Sequence, residues 1–334
     1  MAKLNKVKWG IIGVGDVCEI KSGPALQNTQ NSELVAVMRR NGEKAKDFAE
    51  RHGVPKWYDQ AADVINDPDI NAIYIATPPG SHEDYTRMAA EAGKPVYVEK
   101  PMARNHGECQ RMVEVCEKHD VPLYVAFYRR CLPNYVKIKE LIDSGAIGDV
   151  RHVNLKINKV LEPDIVGAAG QPGNWRIDPE ISGGGYFYDL GSHQIDLLDL
   201  FFGPIKEASG YARNQAGIYG PEDITVGSFY FENGVVGSGT WCFNSGQSSD
   251  EELTTIVGSK GQIEFDYFSG FHVRVSIDSE ESQDLSFDIP KHIQQPLIQT
   301  IVDELTGKGT CPSTGVSAAR SAWVMDQICR NIIP

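Results

Sequence analysis

Between Val7 and Ala126, short apolar runs of strand length alternate with stretches of helical length, and few folds accommodate that order. Residues 7–13, 33–38, 72–76, 95–98 and 122–126 read as strands. The stretch after Gly15 and residues 44–52, 81–92 and 105–119 read as helices, with Gly53 placed to end its helix in the left-handed conformation. Strand, helix and strand in succession close by a right-handed crossover, which sets the strands parallel and covers both faces of their sheet. Residues 1–126 are therefore expected to form a doubly wound α/β domain.

Beyond Pro133 the texture changes. A helix over 134–144 and a strand over 150–160 lead into a Gly/Pro-rich loop at 163–173. Strand-like segments then recur at 205–213, 224–231, 235–243, 252–257, 261–267 and 272–277, some of them joined by glycine turns at 232–234 and 258–261. This is an antiparallel meander, and helices over 294–306 and 315–331 close the chain. Since 334 residues exceed one comfortable core, 127–334 is expected as a second, α+β domain.

Charge and cysteine usage narrow the function classes. A formal net charge of −13 offers no basic tract to displace counterions from DNA or RNA, so nucleic acid is not an expected partner. The seven cysteines are odd in number and lack C-x-x-C spacing, so they read as reduced packing residues rather than as disulfides or zinc ligands. The N-terminus lacks a signal-peptide pattern, and no apolar run approaches the roughly 18 residues of a membrane span. The expectation is a cytoplasmic protein without a membrane partner.

Three motifs carry chemistry. Gly10-x-x-Gly13-x-Gly15 follows a strand and precedes a helix, where Gly13 suits a tight turn and Gly15 suits close approach of a pyrophosphate to backbone amides. Cys18 stands where the usual fingerprint has a third glycine. At the end of the second strand, where an NAD site usually places a carboxylate, the chain has Arg39-Arg40; two guanidiniums favour a 2′-phosphate and hence NADP over NAD, unless they are simply a solvated pair. The second motif, Glu99-Lys100-Pro101, ends a strand at the carboxyl edge of the sheet, where open α/β folds bind ligands; alone, it is also an ordinary surface turn. In the third, Gly183-Gly184-Gly185 precedes a helical stretch on which Asp189, His193 and Asp196 recur at i, i+4 and i+7 and would share a face. That face suits proton transfer, with His193 as shuttle because imidazole titrates near ~6.5. A metal site is the weaker reading for want of further His or Cys at helical spacing, and no metal is expected.

Together these motifs, with Ala76-Thr77-Pro78 and His82, resemble the glucose-fructose oxidoreductase / inositol dehydrogenase (Gfo/Idh/MocA) family over essentially the whole chain. The resemblance implies a Rossmann domain followed by a large open, mostly antiparallel sheet. It also implies NAD(P)-dependent transfer of a hydride to or from a CH–OH or C=O group of a carbohydrate-like small molecule: a sugar, polyol or diol. Carried over by position, the catalytic set falls on Lys100, Asp189 and His193. Cofactor contacts fall on Gly13, Gly15, Asp16, Val17, Arg39, Arg40, Thr77, Pro78, His82, Glu99 and Lys100. Tyr128, Arg129 and Arg176 are expected to join Lys100, Asp189 and His193 around the substrate; Trp175-Arg176 is similar to a pair in relatives acting on anhydro-sugars and dihydrodiols, although a structural salt bridge suits Arg176 equally well. Relatives commonly pair their open sheets, so a homodimer or homotetramer through the C-terminal sheet is expected. The alternative is a catalytically inactive NADP-binding sensor on the same fold, which an intact Lys100, Asp189 and His193 oppose.

Overall fold

The computed structural model describes residues 3–160, 174–268 and 270–331. The glycine/proline loop expected at 163–173 lies outside them. By its contacts the chain divides into Met1–Leu132 with Ile289–Ala319, and Pro133–Asp288 with Arg320–Pro334. The division thus falls after Leu132 rather than after residue 126, and neither unit is one continuous stretch.

The first unit carries β1 (Val7–Ile12), α1 (Gly23–Asn28), β2 (Ser32–Met38), α2 (Gly42–His52), β3 (Lys56–Tyr58), α3 (Ala61–Asn66), β4 (Ala72–Ile75), α4 (His82–Glu91), β5 (Val96–Val98), α5 (His106–Lys118) and β6 (Leu123–Val125). Its six strands pair in the order β3-β2-β1-β4-β5-β6, all parallel. β4, β5 and β6 are buried throughout, as strands covered on both faces must be. Local signals set the helix ends: Asn41 and Asn105 cap α2 and α5 by accepting the Lys44 and Glu108 amides, and Gly53 (φ 64°) closes α2 as expected.

The second unit carries α6 (Pro133–Asp143), β7 (Val150–Val160), α7 (Pro179–Ser182), α8 (Ser192–Phe202), β8 (Ile205–Arg213), β9 (Ile224–Phe231), β10 (Val236–Ser245), β11 (Glu251–Gly258), β12 (Gly261–Phe265), β13 (Val273–Ile277) and β14 (Gln283–Leu285). The strands form one sheet ordered β14-β13-β12-β11-β7-β10-β9-β8, antiparallel except for β7 with β10. Burial alternates along β9, so one face packs and the other is open. Trp241, fully buried on the packed face, donates its indole N–H to Gln194 of α8 at 2.5 Å and lies 4.8 Å from the Phe187 ring.

The chain then returns. α9 (Gln295–Leu305) belongs wholly to the first unit, and the division between units falls within α10 (Gly315–Ile328). In the first unit the returning stretch is tied by Tyr124 to Glu304 at 2.9 Å, Arg130 to the Pro312 carbonyl at 2.9 Å and Ser313 to the Val125 carbonyl at 2.7 Å.

Candidate active site

In the first unit the predicted residues cluster at the carboxyl ends of β1, β4 and β5. The amides of Gly13 and Val14 bond the Met38 carbonyl, folding the turn over the end of β2. Gly13 adopts φ 95°, and a Cβ there would come within 2.5 Å of the Thr77 methyl, so the glycine is required twice over, by conformation and by space. Gly15 differs: a Cβ there would meet nothing within 4 Å. That open approach, with Asp16 exposed beside it, fits a dinucleotide pyrophosphate.

Cys18 shows why the third glycine is dispensable. The helix opens with a π turn, Cys18–Ser22, and the Cys18 side chain points inward, where burial pushes its thiol up to about 12. Gly23, which closes that turn by donating its N–H to the Cys18 carbonyl, leaves no room for a Cβ against that carbonyl. Arg39 and Arg40 are both exposed at the end of β2, and among the described residues neither has an ion-pair partner.

Two residues assigned to the cofactor from sequence are buried. His82 is fully buried, with Nε2 2.6 Å from the Thr77 carbonyl and Nδ1 3.1 Å from the Met102 carbonyl, so it clamps two loops together. Burial holds its imidazole below the ordinary value. Glu99 is likewise buried and accepts the Tyr74 hydroxyl at 2.6 Å, so it belongs beneath the strand end. Lys100 itself is half-buried, its peptide bond to Pro101 is cis, and Thr77 and Pro78 flank the neighbouring strand end with partial exposure. Tyr128 and Arg129, expected around the substrate, are both buried in a 3-10 turn, the guanidinium 5.3 Å from the ring.

In the second unit, a second π turn, Phe187–Gly191, runs into α8. Asp189 lies in that turn and His193 in the first turn of α8. Both are buried, as is Asp196. Asp189 accepts the Arg176 Nε at 3.2 Å, and the guanidinium lies 4.5 Å from the Trp175 ring. Arg176 is thus placed by both a carboxylate and an indole. Among the described residues no three His, Cys, Asp or Glu are grouped as a metal site.

The triple glycine allows close approach at the start of this helical stretch. Gly183 takes φ 89°; a Cβ on Gly184 would strike the Tyr188 ring, and one on Gly185 would come within 2.7 Å of the Glu222 carbonyl. The run lets the chain's own side chains close in. Sequence reading missed Glu222, whose buried carboxylate accepts the Gly185 amide at 3.1 Å, and Phe268, whose ring meets His193 edge-on at 6.1 Å. Glu252 fixes that ring by accepting the amides of Tyr267 and Phe268.

A parallel sheet ordered this way, with a glycine turn after its first strand and an open phosphate approach there, is the frame of a dinucleotide-binding domain. Comparison with known sequences agrees: the oxidoreductase family with an NAD-binding Rossmann fold matches residues 7–127, and the GFO/IDH/MocA C-terminal domain matches residues 135–264. The chain belongs to the Gfo/Idh/MocA family of oxidoreductases. An oxidoreductase of Formosa agariphila is 42% identical over 97% of this chain and 99% of its own length. Trans-1,2-dihydrobenzene-1,2-diol dehydrogenase of Xenopus laevis is 28% identical, with 87% of this chain and 83% of the relative covered. Levoglucosan dehydrogenase in complex with NADH and levoglucosan shares the fold, at a TM-score of 0.86 and 22% identity over 97% of this chain and 96% of that one. No helix of the described residues is long and apolar enough to cross a membrane.

Proposed function

We propose that the protein transfers a hydride between NADP(H) and the CH–OH or C=O carbon of a sugar, polyol or related diol. The observation that carries this reading is Lys100, held at the end of β5 on the same carboxyl edge of the sheet as the open Gly15 approach. The similarity to a dihydrodiol dehydrogenase supports the substrate class. Gly13, Gly15, Asp16 and Val17 are assigned to the pyrophosphate, and Thr77 and Pro78 to the nicotinamide half. The bound nicotinamide supplies or accepts the hydride. Lys100 donates a hydrogen bond to the substrate oxygen and stabilises its alkoxide character. His193 removes or returns the hydroxyl proton. Asp189 keeps Arg176 in place, and Arg176 is assigned to a substrate hydroxyl.

The test is to incubate the protein with NADPH or NADP and a panel of keto-sugars, dicarbonyls and polyols, following the absorbance of the reduced nicotinamide. Tight NADPH binding with no turnover on any of them would sink the enzyme reading in favour of a sensor.

The NADP preference rests on Arg39 and Arg40. Replacing both with alanine is expected to raise the Kd for NADPH about tenfold or more while leaving that for NADH nearly unchanged, since one charge-assisted phosphate contact is worth at least ~1.4 kcal/mol. Equal loss for both cofactors, read by nicotinamide fluorescence, removes the preference. The two glycines make a paired prediction. Gly13→Ala is expected to cost about 1–3 kcal/mol of stability, because a non-glycine residue is strained there, whereas Gly15→Ala leaves the Tm unchanged and weakens cofactor binding alone. A Tm loss of the same size in both variants contradicts the assignment of Gly15.

We assign the open face of the second sheet to self-association, as homodimer or homotetramer. Tyr211, Val226, Tyr230 and Val236 stand exposed on it. Light scattering on the purified protein checks this, and a monomer at micromolar concentration rejects it.

A further inference from the structure

We propose that Gln294 is a positioning residue for Lys100, acting through Glu99. The inference rests on the assignment of Lys100 to catalysis made above. Glu99, the residue before the lysine, is 8% exposed, and its carboxylate is fully engaged beneath the strand end. Oε1 accepts the Tyr74 hydroxyl at 2.6 Å and the Gln294 side-chain amide at 2.7 Å, while Oε2 accepts the backbone N–H of Lys100 at 3.2 Å. Gln294 is 1% exposed, and its own side-chain carbonyl accepts the Tyr97 hydroxyl at 3.1 Å. An unbroken run of hydrogen bonds therefore leads from Tyr97 through Gln294 and Glu99 to the lysine backbone.

A carboxylate taken out of water has to be held by donors, and one that lacks them reprotonates or moves. Four other titratable side chains face Glu99: Cys18 from the first π turn, Tyr74 of β4, His82 at the head of α4 and Tyr97 of β5. All four are neutral at pH 7, the thiol and phenols held up and the imidazole held down by burial. The Glu99 carboxylate is held by the Tyr74 hydroxyl, the Lys100 backbone N–H and the Gln294 side-chain amide, of which Gln294 is the one supplied by the returning segment. Glutamine suits the position because one end accepts from a phenol while the other donates to a carboxylate; leucine does neither, and ionised glutamate cannot donate. Loss of that donor frees the carboxylate to turn, and the Lys100 backbone loses its anchor.

Gln294→Leu is expected to lower kcat about tenfold with KM for cofactor nearly unchanged, the scale of one buried hydrogen bond to a charged group. Deuterium exchange at the Lys100 amide speeds up in the same variant, while amides of β8 and β9 keep their protection and show that the chain is folded. Gln294→Glu discriminates further: it can donate to Glu99 only while protonated, and two buried carboxyls share one proton until a raised pH. Its kcat is therefore expected to follow the wild type at low pH and to fall through a new ionisation on the alkaline side. Wild-type kcat and wild-type Lys100 exchange in Gln294→Leu, or a wild-type pH profile in Gln294→Glu, would overturn the proposal. If Lys100→Ala keeps full turnover, the catalytic assignment fails instead, and the exchange measurement, which needs no turnover, still decides whether Gln294 anchors that backbone.

Discussion

Lys100→Ala is expected to lose roughly 10³-fold in kcat, the scale of removing one preorganised donor from a developing oxyanion, while still binding NADPH. The reason lies in how the residue is presented. β5 is buried from Val96 to Val98, Glu99 accepts the lysine's own backbone amide, and the side chain is left at the sheet's carboxyl edge without being buried. Truncation at Cβ leaves this frame in place, so the fold and the glycine turn persist. Lys100→Arg is expected to recover little, because a planar fork on a longer stem does not put a donor where the ammonium stood. Single-turnover absorbance with saturating NADPH checks both variants, and turnover within a factor of a few of the wild type in Lys100→Ala would remove the lysine from the mechanism.

The second large effect is expected at His193. His193→Ala should lower kcat by roughly 10²–10⁴-fold, the range for loss of a positioned acid–base group, and should flatten one limb of the pH–rate profile. The ring is buried at the start of α8 with Phe268 against it. Its removal leaves a hole lined by an aromatic edge, so added imidazole is expected to restore part of the rate. A variant with unchanged kcat would show that another group moves the proton, and a loss in KM alone would reassign His193 to binding.

Much of the fold is legible in the sequence because both sheets write their burial into short-range patterns. Residues 34–38 and 72–75 are apolar without a break because β2 and β4 are covered on both faces, and 224–231 alternates because β9 is covered on one. The three-residue strand β3 and the short α3 escaped notice, since so few residues carry no period. The π turns were equally invisible: nothing in Cys18–Ser22 or Phe187–Gly191 distinguishes five residues per hydrogen-bonded turn from four. The site residues divide along the same line. Gly13, Gly15 and Lys100 belong to local motifs and were named in advance. Gln294 stands 195 residues from Glu99, and Glu222 stands 37 from Gly185, so only folding brings them together. The bonds His82 makes to the Thr77 and Met102 carbonyls were not legible, because a motif gives proximity and says nothing about which way a ring faces.

The split composition of the first unit bears on how the protein is made. Its six strands are complete once Val125 has left the ribosome, yet Gln294, Glu304 and Ser313 are synthesised only after the entire second sheet. During translation the nascent nucleotide domain carries a buried-type carboxylate, Glu99, without one of its donors, and an uncovered seat where α9 belongs. Although translated first, it is therefore expected to be completed only when 289–319 emerges, shortly before 320–334 completes the second unit. A gene fragment ending near residue 132 is accordingly expected to give an aggregation-prone product, and supplying 289–319 as a fused or co-expressed piece is the rational way to obtain that domain alone.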